Sequence, residues 1–292
     1  MAHDFSAVMQ TTWTTNLQNH LRKSFVGMKI ANTKFDGSFR GTDTVKFPRQ
    51  QKIVIGTLTN FRQSLTKQDI TTTGEDFSLD QYRYFAFDIA LDEDIETYID
   101  PKSQAYVDAK EGFSNEFDKA ILGHYVDAGY TIDDGNMETA SNGGAGNAIA
   151  VAKTNIYDMF TAVSEVMDVN YIPQNDRWIM ISPKESRKLK KSPEMQKSTV
   201  ESERRVLKGV IGMLDDLMIY YSNNLTVATG VRHGLAGQGK PICFASNVKP
   251  SIYVGSIKES DDFTYLVKGA TKFGSKVFTE GSEKLIDIEM VA

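Results

Sequence analysis

Cysteine is almost absent from this chain, which has one, Cys243, among its 292 residues. A single thiol cannot form an internal disulfide, so we expect the chain to fold in a reducing cytoplasm by burying apolar side chains. Cys243 lies in a short apolar run that ends at Ala245, and no histidine and asparagine pattern lies nearby. We therefore expect a buried core thiol and not a nucleophile.

Long hydrophobic runs are also missing. No stretch is long enough to span a membrane, and residues 1–30 have no continuous apolar core of the kind that a signal peptide needs. The net charge is only −5, from 33 basic and 38 acidic residues, so the chain lacks the basic surface of a tight nucleic-acid binder. We expect no membrane contact and no sequence-specific contact with DNA.

Metal and cofactor motifs are missing as well. The histidines are scattered without metal-ligand spacing. They are His3, His20, His124 and His233. Asp92, Asp94 and Glu96 alternate as at the start of a calcium loop, but Thr97 and Ser103 stand where that loop needs glycine and its final carboxylate. We expect no catalytic residue, no metal and no cofactor.

One segment comes close to a phosphate-binding loop. Residues Gly234 to Lys240 have the spacing G-x-x-x-x-G-K, but Pro241 stands where serine or threonine holds magnesium, and a β-like run follows instead of a helix. We interpret the segment as a flexible surface loop with an accidental match. A nucleotide-binding enzyme that uses this loop is kept as an alternative; it predicts nucleotide binding that Lys240→Ala abolishes.

What the chain does contain is a β-rich arm, residues 42–93, with few apolar residues for a core of its own. Apolar and polar residues alternate in three segments, and aromatic residues follow at 82–87. The three segments are 44–47, 52–55 and 77–80. The polar stretch 62–73 separates them. A long two-stranded hairpin is marginal alone in water, and its edges can pair with other strands. We infer that it lies on a neighbouring subunit.

Helices are predicted on both sides of this arm. Residues 14–25 place Leu17, Leu21 and Phe25 on one stripe, with Trp13 as an anchor before them. Asp100-Pro101 is a good helix start, and the helical apolar spacing continues to about His124.

The second half of the chain predicts an α/β region. A glycine-rich loop at 127–150 precedes an apolar helix at 156–167. A buried strand at 176–183 ends in a turn, and a basic helix follows at 184–191 with Leu189 turned inward. Further strands are expected, and the last four would form a sheet against the long helix. They are 217–222, 242–245, 251–255, 263–267, 275–279 and 285–290.

The order of these parts resembles the major capsid proteins of tailed double-stranded DNA bacteriophages, the HK97-like fold. Four places carry the resemblance: an opening and a closing strand of the extended loop, a strand ending at proline, and a glycine turn before a strand. They are Asp43 to Phe47, Tyr84 to Ile89, Asp176 to Pro183, and Gly209 to Leu225.

The resemblance implies an α+β fold with four parts. These are an N-terminal arm at 1–35, an extended β-hairpin loop at 36–91, a peripheral domain at 92–151 and 251–292 with a spine helix near 100–126, and an axial domain at 152–250. It also implies a head protein that assembles into pentamers and hexamers of an icosahedral shell around the phage genome. An encapsulin-type compartment shell is the closest alternative.

The resemblance implies partners and a place as well. Because the arm is short, a separate scaffolding protein is expected, with a portal protein, and the shell forms in the bacterial cytoplasm before it becomes the virion capsid. Enclosed DNA must slide past the wall, which suits the mild acidity. Candidate subunit-interface residues combine apolar anchors of the arm with charges of the loop, the acidic strand end and the basic region. They are Trp13, Phe25, Arg62, Lys67, Asp69, Asp92, Asp94, Glu96, Arg187, Lys190, Arg204 and Arg205.

Overall fold

The computed structural model describes most of the chain after residue 25. The described residues are 26–35, 39, 43–60, 64, 67–90, 101–193, 212–246, 251–256 and 264–292; the backbone alone is described at 88–90, 101–107, 251–256 and 264–267. Over these residues the fold is α+β, as predicted, with sheets of seven, five and two strands. None of the helices found there is long and apolar enough to cross a membrane. The helix predicted at 14–25 lies outside the described residues.

The seven-stranded sheet forms the core of the second half. Its strand order is β5 (Tyr130–Ile132), β14 (Leu285–Val291), β10 (Val231–Gln238), β6 (Arg177–Ile181), β8 (Leu217–Tyr221) and β7 (Met213–Leu214), with β9 (Val227–Ala228) paired to β10. All of β6 is buried, because helices and strands cover both faces of the sheet. Ile179 and Ile181 face the helices α3 (Ile156–Val169) and α4 (Pro183–Lys190). The predictions for β6, β8, β14 and both helices are confirmed.

The five-stranded sheet carries the longest helix. It contains β1 (Ala31–Asn32), β11 (Ile242–Ser246), β13 (Thr264–Val277) and β12 (Ser251–Ser256), and β4 (Gln81–Ala90) pairs with β13 over ten residues. Helix α2 (Pro101–Leu122) begins where Pro101 predicted it and continues as a 3-10 turn, Gly123–Asp127. Phe117 on α2 lies 4.7 Å from Phe273 and 5.2 Å from Phe244, measured between ring centroids. A sheet packs on this helix as predicted, but it contains only β12 and β13 of the C-terminal strands, because β14 lies in the seven-stranded sheet.

A separate two-stranded sheet forms the hairpin. Strands β2 (Thr44–Gln50) and β3 (Thr72–Ser78) pair antiparallel over seven residues. The prediction of a strand at 52–55 is wrong: residues 51–58 are irregular, and Ile55 is 93% exposed. A strand needs hydrogen bonds from a neighbour, and among the described residues no strand lies beside this segment.

Strands β13 and β10 differ from the prediction, because their glycines do not interrupt them. The segments 263–267 and 275–279 were expected to be separate strands, but β13 runs through Gly269 and Gly274 without a break. The expected flexible loop at Gly234 is β10, which is buried at the centre of the seven-stranded sheet and pairs with β14, β6 and β9. Glycine weakens a strand, yet it fits where neighbouring groups approach closely.

Chain segments cross between the two large sheets. Strand β11 comes from the part assigned to an axial domain but lies in the five-stranded sheet, and β14 comes from the part assigned to a peripheral domain but lies in the seven-stranded sheet. The short helices α1 (Gly27–Ile30) and α5 (Thr279–Ser282) lie near these crossings. The boundaries of the four predicted parts remain a prediction.

Candidate assembly surface

The base of the hairpin is anchored by an aromatic cluster. Phe39 and Phe77 are fully buried with ring centroids 5.0 Å apart, and Phe47 lies 4.8 Å from Phe35 and 5.3 Å from Phe278. The cluster also includes the buried thiol of Cys243 and the side chains of Leu79 and Ala245. Burial raises the pKa of Cys243 to about 11, so the thiol stays protonated at neutral pH, and the prediction of a core cysteine is confirmed.

Polar contacts fix the direction in which the hairpin leaves this base. The carboxylate of Glu75 on β3 accepts from the backbone N–H of Thr279 at 3.2 Å and from its hydroxyl at 2.8 Å. Lys276 donates to the backbone oxygen of Asp76. Gly274 is required on β13, since any Cβ there would collide with the backbone oxygen of Ser78. The hairpin base is therefore a fixed part of the subunit.

The tip of the hairpin, residues 51–71, exposes an apolar surface. The large apolar side chains in its described residues are mostly in contact with solvent, as their exposed fractions show. They are Ile53 at 68%, Val54 at 67%, Ile55 at 93%, Leu58 at 42% and Ile70 at 54%. Exposed apolar side chains concentrated in one short segment are typical of a surface that another molecule covers.

Side-chain hydrogen bonds hold the two sides of the tip together. The Gln68 amide donates to the backbone oxygen of Val54 at 2.6 Å and accepts from its N–H at 3.1 Å. The hydroxyl of Thr71 donates to Gln51 at 3.0 Å. An exposed ion pair of 3.1 Å joins Lys52 to Glu283 of the same chain. In the tip, side-chain hydrogen bonds take the place of the backbone hydrogen bonds that would join two strands. The backbone at the edges of the tip can therefore pair with another chain.

A buried carboxylate joins three parts of the subunit. Asp118 on α2 is 1% exposed, and its Oδ1 accepts from the backbone N–H groups of Val26 at 3.0 Å and Gly27 at 2.6 Å. Its Oδ2 accepts from the hydroxyl of Ser222 at 3.2 Å and the amide of Asn224 at 2.9 Å. Asp118 therefore sets how the long helix, the start of the described chain and the end of β8 meet.

Contacts of Glu185 and Lys188 anchor the basic helix α4, and other charged side chains of the helix face solvent. Glu185 is fully buried and lies 3.1 Å from the guanidinium of Arg232, and Lys188 donates to the backbone oxygen of Val151 at 3.0 Å. Arg187 is exposed and Lys190 is half-buried. The exposed charge of α4 therefore belongs to a helix with a fixed position.

Four of the predicted interface residues fall within the described part of the chain. Lys67 and Asp69 are exposed in the hairpin tip, whereas Arg187 and Lys190 lie on α4, in the other half of the fold. The remaining eight lie outside the described residues. They are Trp13, Phe25, Arg62, Asp92, Asp94, Glu96, Arg204 and Arg205. The role of all twelve at an interface stays a prediction.

Sequence reasoning missed two features of this surface. The run Ile53-Val54-Ile55 was predicted as part of a half-buried strand, and its exposure was missed although no partner strand to bury it was evident. Asp118 carried no signal, because a carboxylate on a helix with many charges resembles any solvated residue.

The possible nucleotide-binding segment has the wrong geometry. A phosphate-binding loop offers unpaired backbone N–H groups to the ligand, but the backbone of Gly234 to Gly237 is paired with β14 along its length. Gly239 makes a turn at φ +64°, and its N–H donates to Asp176. These residues form a structural strand, so the match to the motif is accidental.

Sequence comparison identifies no relative: no protein-family model matches, and no curated protein matches. Structures do match, over nearly the whole chain. A structure from Mycobacterium phage Che8 matches with TM-score 0.77 and 16% identity, covering 98% of each chain. The capsid structure of cyanophage P-SCSP1u matches with TM-score 0.75 and 16% identity, covering 99% of this chain and 95% of that one.

A third match, the capsid asymmetric unit of cyanophage Pam1, has TM-score 0.74 and 12% identity and covers 99% of both chains. At such identities the agreement concerns the fold. The chain has the HK97-like fold found in phage capsids.

Proposed function

We propose that this chain is a major capsid protein that assembles with copies of itself into an icosahedral shell. The observation that carries the proposal is the agreement, over nearly the whole chain, with subunits of phage capsids. The exposed apolar hairpin tip adds support, because a single subunit leaves it uncovered. A structural role, without catalysis, accounts for the described features.

The subunit combines a rigid body with a projecting arm. The aromatic base cluster and the Asp118 junction fix the body, whereas the tip is joined to it through the two-stranded sheet and the exposed ion pair of Lys52 with Glu283. We propose that the tip packs on a neighbouring subunit, where its apolar side chains lose contact with water. Burying a side chain such as Ile55 stabilises the contact by roughly 1.5–3 kcal/mol.

The finer partners follow from this role. Pentamers and hexamers would close the shell, a scaffolding protein and a portal protein would guide it, and the shell would enclose double-stranded DNA without reading its sequence. A net charge of −5 suits a wall that must not hold DNA tightly. Assembly would take place in the host cytoplasm, and the finished protein would belong to the virion.

Negative-stain electron microscopy with size-exclusion chromatography tests the proposal. We expect uniform hollow shells, or pentamers and hexamers, from the purified protein. A strictly monomeric species at every protein and salt concentration would contradict it. Shell diameter and content separate two kinds of container, because a phage head packages DNA whereas an encapsulin-type compartment is small and holds protein.

The tip contact can be tested in the same assay. The double substitution Ile53→Asp and Ile55→Asp places charge on two exposed positions, so the subunit should fold normally and yet form no regular shells. Val126→Asp is a matched control, because Val126 is also 69% exposed but lies far from the hairpin in sequence, next to α2. Normal shells from the double variant would exclude the tip as an essential contact.

A further inference from the structure

Three side chains that can bind a metal ion meet on one face of the seven-stranded sheet. His233 on β10 is paired directly with Glu289 on β14, and Asp287 precedes Glu289 by two residues on the same strand. Directly paired residues and residues two apart share a face of a sheet, so all three side chains point the same way. One ligand atom from each lies within 4.8 Å of the others.

Two of these three side chains are almost fully buried. His233 is 7% exposed and Asp287 is 4% exposed, and Glu289 is half-buried. The ring of Tyr125 is stacked on the imidazole with centroids 3.9 Å apart, which fixes the plane of His233. The Nδ1 atom of His233 lies 2.8 Å from Oδ2 of Asp287.

One oxygen in this cluster is unaccounted for. Oδ1 of Asp287 is buried and has no hydrogen-bond partner within the described part of the chain. Buried carboxylate oxygens in folded proteins are paired or coordinate a metal, because an isolated buried charge is costly.

We propose that His233, Asp287 and Glu289 bind a divalent transition-metal ion of the Zn²⁺ class. One imidazole nitrogen and two carboxylates suit Zn²⁺ or Mn²⁺, whereas Mg²⁺ and Ca²⁺ are bound by oxygen alone. Bonds of about 2.0–2.2 Å at tetrahedral angles place ligand atoms about 3.3 Å apart. The observed spacing, from 2.8 Å up to 4.8 Å, spans that value, so small side-chain movements suffice.

A bound ion would link β14, the last strand of the chain, to β10 in the centre of the seven-stranded sheet. Strand β14 carries two of the ligands, β10 carries the third, and Tyr125 belongs to the turn that ends the long helix. A bound ion would therefore stabilise the junction of the seven-stranded sheet with α2.

Metal content and thermal unfolding of the untagged full chain test the site. The protein is treated with EDTA, dialysed, and titrated with Zn²⁺ near pH 7.5, and bound zinc is measured by mass spectrometry of the metal. We expect about one ion per chain and a rise in the melting temperature on the order of 5 °C at 100-fold excess over the dissociation constant. Co²⁺ in place of Zn²⁺ should give visible absorption bands of a tetrahedral site.

Substitutions separate this site from chance binding elsewhere. Glu289→Gln keeps the shape of a half-buried side chain and should weaken zinc binding at least tenfold. His124→Gln is the matched control, because His124 also lies beside a carboxylate, Asp127 at 2.6 Å, but outside the cluster, and it should bind zinc as the unsubstituted chain does.

Two results would overturn the proposal. The first is an unsubstituted chain that takes up no zinc, shows no cobalt spectrum and keeps its melting temperature. The second is zinc binding that Glu289→Gln leaves unchanged, which would place the ion elsewhere. If Glu289→Gln fails to fold, Asp287→Asn is measured by the same cobalt spectrum, and an unchanged spectrum counts against the site.

Discussion

At the scale of single residues, Asp118 carries the connection between distant parts of the chain. We expect Asp118→Ala to reduce the free energy of unfolding by about 3 kcal/mol, because the backbone N–H groups of Val26 and Gly27 would remain buried without an acceptor. Equilibrium urea unfolding of unassembled subunits measures the change.

The control for Asp118 lies two residues earlier on the same helix. Glu116 contacts Arg83 at 3.1 Å and Lys119 at 2.9 Å, but these ion pairs are exposed. Exposed ion pairs contribute little, so Glu116→Gln should cost less than about 1 kcal/mol. Equal losses in the two variants would show that burial of Asp118 has no special effect.

A second buried carboxylate organises the glycine-rich loop and makes it sensitive to acid. Asp134 accepts from the N–H groups of Ser141 at 2.7 Å, Asn142 at 2.6 Å and Gly144 at 2.9 Å. Burial raises the pKa of Asp134, but the hydrogen bonds from the Ser141 hydroxyl and from these backbone groups lower it more, to about 2 from the ordinary 3.8.

The sign of this shift predicts a pH dependence of stability. A carboxyl group with a lowered folded-state pKa stabilises the fold above its unfolded pKa and loses this effect as pH falls. We expect unfolding free energy to decrease between about pH 4 and pH 2, and Asp134→Asn to flatten that part of the curve. A curve of identical slope in the variant would show that Asp134 is not responsible.

At the scale of elements, the hairpin separates into a fixed base and an exposed tip. Because β3 begins at Thr72, the tip can be removed without loss of either strand by replacing residues 52–70 with an Asn-Gly turn. The backbone N–H of Gln51 donates to Thr71 at 3.3 Å, and such a turn can close strands at that pair.

We expect the truncated subunit to fold with an unfolding free energy within about 1 kcal/mol of the full chain, since exposed side chains contribute little to stability. It should form no regular shells in electron micrographs. Lys52→Ala, which removes only the exposed ion pair with Glu283, should form them normally. Regular shells from the truncated chain would show that assembly does not need the tip.

At the scale of the whole molecule, assembly should hide what the single subunit exposes. Lys52 and Lys67 lie in the irregular tip, so trypsin should cut there in unassembled subunits. We expect at least tenfold slower cleavage at both sites in assembled particles, followed by mass spectrometry of the fragments. Lys153, in an exposed turn outside the hairpin, serves as the reference site. Equal cleavage rates at the tip in both states would contradict a covered tip.

The sequence by itself determined the local elements and their order. The all-apolar run of β6, the start of α2 at Pro101 and the alternation in β2 each reflect a periodicity or a backbone constraint that neighbouring residues impose. Element order limits the possible topologies, and the resemblance of this order to phage capsid proteins predicted the HK97-like fold that the structural matches support.

Only the tertiary structure decided which distant groups meet. Glycine is favoured at position 237 because the ring of Trp178 leaves little room for a Cβ, and His233 meets Asp287 across 54 residues of sequence. Asp118 binds groups 92 and 104 residues away. Local patterns encode burial and backbone geometry, whereas these contacts depend on strand pairing and helix packing between remote segments, which no short stretch of sequence contains.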